Sequence, residues 1–164
     1  MEIENGILHV GFKSYAIEDE IELITGLFDS INIKRKISSA NEISKFVDAS
    51  KNKKTRAVVF LTSGRVYKTF RSTDVLLKRV NNAINFINIG NDSFIPKSKI
   101  EAITGLVNII SVRNIRSKAE KEGRLMDCTK GKETKSVIIT KTNFVHLSYV
   151  TAETIAKRYI KEEA

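Results

Sequence analysis

The sequence predicts an α+β fold made of two tandem copies of a small strand-strand-helix-hairpin-helix module. Three observations carry this. A shift of 79 positions lays about 74 residues on one another without a gap, placing Gly11 on Gly90 and Lys78-Arg79 on Lys157-Arg158. The same shift lays Ile21-Glu22-Leu23-Ile24-Thr25-Gly26-Leu27 on Ile100-Glu101-Ala102-Ile103-Thr104-Gly105-Leu106. Within each copy, short apolar runs ended by glycine alternate with charged stretches whose apolar residues recur every three to four positions. The module, and not the chain, is therefore the unit to be understood, with residues 1–80 as the first, 81–85 as a short joint and 86–164 as the second.

Each element follows from local chemistry. Ile7-Leu8-His9-Val10 and Phe86-Ile87-Asn88-Ile89 are apolar runs closed by glycine and read as first strands. Tyr15 to Thr25, and Phe94 to Thr104, are rich in β-branched and aromatic residues and read as second strands. Pro96 lacks a backbone donor, so the second copy of this strand is expected to begin at an edge or a bulge. Ile33, Ile37 and Ala40, and Val112, Ile115 and Ala119, are spaced for one helical face. Gly123 suits a helix C-terminus in the second copy, where the first copy has Ser44. Arg56 to Leu61 leads through Thr62-Ser63-Gly64 into Val66 to Phe70, and Ser136 to Ile139 leads into Phe144 to Leu147; both read as hairpins. Ser72-Thr73-Asp74 and Thr151-Ala152-Glu153 open the last helices with hydroxyl caps and first-turn acids. The joint Asn81-Asn82-Ala83-Ile84-Asn85 reaches at most roughly 17 Å, so the second module must sit beside the first.

Composition narrows the function. The formal charge is +9 and the pI about 9.7. It divides evenly, +4 over residues 1–80 and +5 over 81–164, so both modules are basic and a polyanionic partner is expected. The single cysteine, Cys128, fits a reducing compartment, and no apolar run approaches the length of a membrane helix. The expected location is cytoplasmic, at the nucleoid, with no membrane partner and no small-molecule substrate.

Catalytic chemistry is not expected. His9 and His146 occupy non-equivalent repeat positions and make no zinc spacing with Cys128. Gly131-Lys132 lacks the upstream glycine and following hydroxyl of a phosphate loop. Cys128 falls on Ala49 and reads as a small buried residue. The acids Glu18, Asp19, Glu20 and Glu22 face Lys97, Ser98, Lys99 and Glu101 in the other copy, so they are not a metal site of the module. No cofactor is expected.

Both copies do keep a basic loop before the hairpin, Lys51-Asn52-Lys53-Lys54-Thr55-Arg56 and Lys130-Gly131-Lys132-Glu133-Thr134-Lys135. A second basic group lies near the start of the helix, Lys34-Arg35-Lys36 in one copy and Arg113 with Arg116 in the other. Lysines and arginines grouped on a turn suit phosphate oxygens, which demand little base-specific geometry. The expected nucleic-acid-binding set from these groups is Lys53, Lys54, Arg56, Lys34, Arg35, Arg113, Lys132 and Lys135. With few aromatics and no tryptophan, a stacking platform for single strands is not favoured.

Four stretches are more specific. Ile87-Asn88-Ile89-Gly90, Asp48-Ala49-Ser50, Thr55-Arg56-Ala57-Val58-Val59 and Glu153-Thr154-Ile155-Ala156-Lys157-Arg158 resemble the RemA family of extracellular-matrix regulatory proteins, once per half. The resemblance implies a module that assembles into rings, binds DNA on an outer basic surface and activates biofilm-matrix genes by wrapping promoter DNA. It also implies three functional positions. A basic residue on the second strand corresponds to Lys99, but to Glu20 in the first half. A pair in the loop corresponds to Lys53 and Lys54, but to Lys132 and Glu133 in the second. Where the two halves meet, within a chain or between chains, Lys53 and Lys54 would join Lys99 and Lys97 in one composite phosphate site. The competing expectation is a ring-forming scaffold with a protein partner, for which Glu20 and Glu133 speak.

Overall fold

The computed structural model describes residues 6–80 and 85–160, so the N-terminal Met1 to Asn5 and most of the joint, 81–84, lie outside the described residues. In the first module β1 (Ile7–Gly11) and β2 (Ser14–Ile17) form a hairpin, and a 3-10 turn at Glu18–Glu20 leads into β3 (Ile21–Thr25). Then come α1 (Ile31–Glu42), β4 (Phe46–Asp48), β5 (Ala57–Leu61), β6 (Val66–Thr69) and α2 (Thr73–Arg79). The second module repeats the order with β7 (Phe86–Gly90), β8 (Ser93–Pro96), a 3-10 turn at Lys97–Lys99 and β9 (Ile100–Thr104). It continues with α3 (Ile110–Lys121), β10 (Leu125–Asp127), β11 (Ser136–Thr140), β12 (Val145–Ser148) and α4 (Ala152–Ile160).

Four local expectations are corrected. The long second strand is two strands broken by a 3-10 turn in each copy. Pro96 closes β8 instead of opening the strand, and caps that turn. A three-residue strand, β4 or β10, follows each long helix and pairs parallel to the second hairpin strand. It has too few residues to show a period. Ile115 is 38% exposed while Val112 and Ala119 are buried. It stands at the repeat position of Lys36 and not of Ile37, one residue off the buried stripe.

Both long helices end alike. Gly123 and Ser44 each take a left-handed backbone, at φ 75° and 62°. Glycine accepts that conformation without strain, whereas serine does not. Ser44→Gly is therefore expected to stabilise the chain by about 0.5–1 kcal/mol after the extra unfolded-state entropy is offset, read as a rise in urea midpoint at unchanged slope. Gly11 and Gly90 have a different task. Each sits at a bulge in the first hairpin of its module, and a Cβ there would lie 2.6 Å from the Ala49 carbonyl oxygen or the Tyr149 ring.

The break in the second strand decides the architecture. Its two halves join different sheets. The six-stranded sheet runs β4-β6-β5-β3-β8-β7, so the first hairpin of module two completes the sheet of module one. The pairing is antiparallel, with Ile24 opposite Phe94 and Thr25 opposite Ser93. Module two's remaining strands form a four-stranded sheet, β10-β12-β11-β9, and β1-β2 stands as a pair. The largest buried cluster is shared: Leu23, Ile33, Val58 and Phe60 of the first module pack with Ile87, Ile89, Ile95 and Ile138 of the second. The modules thus fold as one body.

The junction also buries polar groups. Glu22 Oε2 lies 2.7 Å from His146 Nε2, and Thr142 donates to Glu22 Oε1 at 2.5 Å. Both Glu22 and His146 are fully buried. Among the described residues no helix is long and apolar enough to cross a membrane.

Candidate nucleic-acid interface

The first basic loop is bent by its own backbone. Lys51 and Asn52 are left-handed, Asp48 accepts from the Ser50 amide and hydroxyl, and the Lys53 amide donates back to the Ser50 carbonyl. The Arg56 amide donates to the Thr69 carbonyl, which fastens the loop to the end of β6. This turn places Lys53, Lys54 and Arg56 around a cavity of about 320 Å³, whose remaining wall is Phe70, Arg71, Ser72 and Val75. Four cations thus converge with no carboxylate in the lining.

Arg71 is a site residue that sequence reasoning missed. Its guanidinium lies 4.7 Å over the Phe70 ring, and its Nε is buried without a hydrogen-bond partner among the described residues. A buried donor with no acceptor is costly, and an incoming anionic oxygen would satisfy it. Phe12, at the tip of the first hairpin, packs 5.1 Å from Phe70. Lys53 stands 4.9 Å from Phe70, and Lys51 stands 5.2 Å from Phe12. An aromatic pair thus holds the lysine stems over one spot. The missed signal was Arg71 itself, one cation just past the hairpin, where the repeat has Val150.

The equivalent place in the second module has a different sign. Its cavity is lined by Gly105, Leu106, Val107, Glu133, Thr134, Lys135, Thr151 and Glu153, with two acids against one base. Lys132 is drawn aside, 4.4 Å over the Tyr149 ring. The helix-borne cations Lys34, Arg35 and Arg113 are exposed on α1 and α3, outside both linings.

The composite site within the chain is not formed. Lys99 lies at the Ile21 end of β3, where its Nζ donates to the Asp19 carbonyl. The basic loop lies at the other end, because Val58, just after it, pairs with Thr25. A five-residue strand separates the two by about 13 Å. Lys97 sits 4.7 Å over Tyr159. Within one chain, strand basics and loop basics therefore lie at two different places.

Other chemistry is muted. Burial pushes the Cys128 thiol up to about 12, which leaves it no nucleophilic thiolate at neutral pH. Among the described residues no group of histidine, cysteine and carboxylate could hold a metal. His9 stacks on Tyr15 at 4.8 Å and lies 3.2 Å from Arg79.

The sequence pattern of the RemA-like proteins, described as extracellular matrix regulatory protein A-like, matches twice, over residues 7–80 and 86–159. A protein of Nitratidesulfovibrio vulgaris (strain Miyazaki F) named "Putative regulatory protein" is 40% identical over 90 residues, covering 54% of this chain and 99% of itself. A relative of the same name from Maridesulfovibrio salexigens is 44% identical over 79 residues, 47% of this chain and 88% of its own length. Another from Fervidobacterium nodosum is 36% identical over 75 residues, 46% of this chain and 80% of its own. Each relative is thus about one module long, and this chain carries two.

Proposed function

Because the chain belongs to the RemA-like family, with two copies of the family's module in one polypeptide, we propose that it is a DNA-binding architectural regulator. In this reading, chains assemble head to tail into a ring, and duplex DNA lays its phosphates against the four-cation cavity of each first module. Wrapping of promoter DNA around such a ring is the regulatory act, as in activation of biofilm-matrix genes. The observation that carries the reading is the convergence of Lys53, Lys54, Arg56 and Arg71 on one cavity without a carboxylate. Phosphate contacts of this kind give affinity with little sequence preference.

Assembly is supported by unequal burial at equivalent positions. Leu27, at the intrachain junction, is 4% exposed, and its counterpart Leu106 is 61% exposed. Glu22 is fully buried while Glu101 is exposed. At the other end of the chain Ile17 is 49% exposed, where its counterpart Pro96 is buried. Each chain thus ends in one half of the junction it already contains.

Mobility shift of a ~100-base-pair duplex at two salt concentrations tests the reading. If four phosphates are neutralised per chain, log K against log salt should slope near −3.6 per bound chain. A salt-insensitive interaction, or none at low salt, would favour a ring-forming scaffold with a protein partner, a reading that the acids Glu133 and Glu153 of the second cavity already favour for that half.

A further inference from the structure

Opposite charges stand at equivalent repeat positions, Glu18 and Glu20 in the first module and Lys97 and Lys99 in the second. We propose that the acidic turn Glu18–Glu20 and the basic turn Lys97–Lys99 form an assembly code, in which the basic turn of one chain docks beside the acidic turn of a second copy and Glu101 of the first meets Tyr67 of the second. The proposal rests on the head-to-tail reading above and specifies its chain–chain contact.

The intrachain junction is the template. There β8 lies along β3, and the Thr25 and Ser93 hydroxyls meet at 2.7 Å. The two 3-10 turns come side by side, with Lys99 Nζ on the Asp19 carbonyl. A carboxylate on β3 is buried against module two, Glu22 on His146 and Thr142. The exposed edge β9 and the exposed face of β2 repeat the two sides of this contact. Setting β2 of a second copy along β9 places Ser14 by Thr104 and Tyr15 by Ile103, by the same register.

The turns then form a row in which sign alternates at every step. Each acidic turn has a basic turn on both sides, one from its own chain and one from the next. A contact between two like turns would set Glu18 and Glu20 against the same acids, or Lys97 and Lys99 against the same lysines. Like charges placed opposite one another oppose association. The pattern thus favours strict alternation of first and second modules, which is what a two-module chain needs to add its copies in one direction.

The carboxylate has an equivalent solution. Docking would bury Glu101, and a buried carboxylate without a donor is strongly disfavoured. The repeat places Tyr67 where the intrachain junction has His146, and Ser63 where it has Thr142. Tyr67 is half-buried on β6, so its hydroxyl is the available donor. A phenol and a serine hydroxyl would replace the imidazole and the threonine hydroxyl. Lys97, Lys99 and Glu20 accordingly belong to assembly, and the DNA surface to the loops at the other end of β3.

The test is sedimentation velocity without DNA, across micromolar concentrations, with circular dichroism and thermal melting to confirm the fold. Wild type should self-associate. Lys97→Glu with Lys99→Glu makes every turn acidic and should weaken association about tenfold or more, the effect of two reversed surface pairs. Adding Glu18→Lys and Glu20→Lys to that variant restores alternation with the signs exchanged, and should return association to within about threefold of wild type. Should the acidic variant fold poorly, Tyr67→Phe and Glu101→Gln provide a second route, as a double-mutant cycle on the association constant in which coupling is expected. A wild type that associates equally well in the all-acidic form, a four-fold exchange that fails to restore association, or a cycle without coupling would each overturn the code while leaving head-to-tail assembly standing. A wild type that stays monomeric would instead overturn the assembly reading, and the code with it.

Discussion

Replacing His146 by alanine is expected to destabilise the folded chain by about 3 kcal/mol, the cost of leaving one member of a buried hydrogen-bonded pair without its partner. The pair spans the two modules, with Glu22 Oε2 2.7 Å from His146 Nε2 and both residues fully inaccessible. Without the imidazole, the Glu22 side chain keeps, among the described residues, only the Thr142 hydroxyl. The core shared at the junction is apolar, with Leu23 and Phe60 from the first module and Phe144 from the second. Urea unfolding at neutral pH and fixed protein concentration, followed by circular dichroism, measures the loss. Both modules should unfold together, in wild type and variant, because they share a core. The double change Glu22→Leu with His146→Leu should recover most of the loss, since replacing a buried pair with apolar groups of similar volume is often neutral. A His146→Ala chain as stable as wild type would show that the junction does not depend on the pair.

Replacing Lys53, Lys54 and Arg71 together by alanine is expected to weaken duplex DNA binding about a hundredfold per site at low salt, taking each surface cation on a phosphate as about 1 kcal/mol. The salt slope should fall from near −3.6 to near −0.9 per chain, because one of four cations remains. The loss should be similar for unrelated DNA sequences, since phosphate contacts carry no sequence information. The comparison that gives this weight is Lys132→Ala with Lys135→Ala in the second module. There Glu133 and Glu153 share the cavity, so the effect should be much smaller. Equal losses from the two modules would mean that the sum of basic charge, and not the cavity of the first module, governs binding.

Much of the local structure could be read from the chain. The 79-position repeat, the helices at Ile33 to Ala40 and Val112 to Ala119, the hairpins at Val58 and Val137, and the hydroxyl caps at Ser72 and Thr151 all follow from neighbours within a few residues. These features are local because helices, tight hairpins and caps satisfy their hydrogen bonds within one short segment. The basic loop was legible for the same reason, as a run of cations on a turn. Its fourth cation was not, because Arg71 reaches Lys53 only once β6 has returned antiparallel to β5.

What the sequence determined by itself is the repeated module, its mixture of helices and strands, and the basic character of both halves, since each rests on composition or on contacts close along the chain. The tertiary structure alone decided that one apparent strand is two, that its halves serve different sheets, and that Glu22 is answered by His146 at a separation of 124 residues. A strand's edge donors and acceptors do not name their partner in advance. Nor does the sign of a charge say which groups it will stand beside. Both are fixed only when the second module's hairpin closes onto β3, which puts Lys99 beside Asp19 and leaves Lys53, Lys54, Arg56 and Arg71 together at the far end.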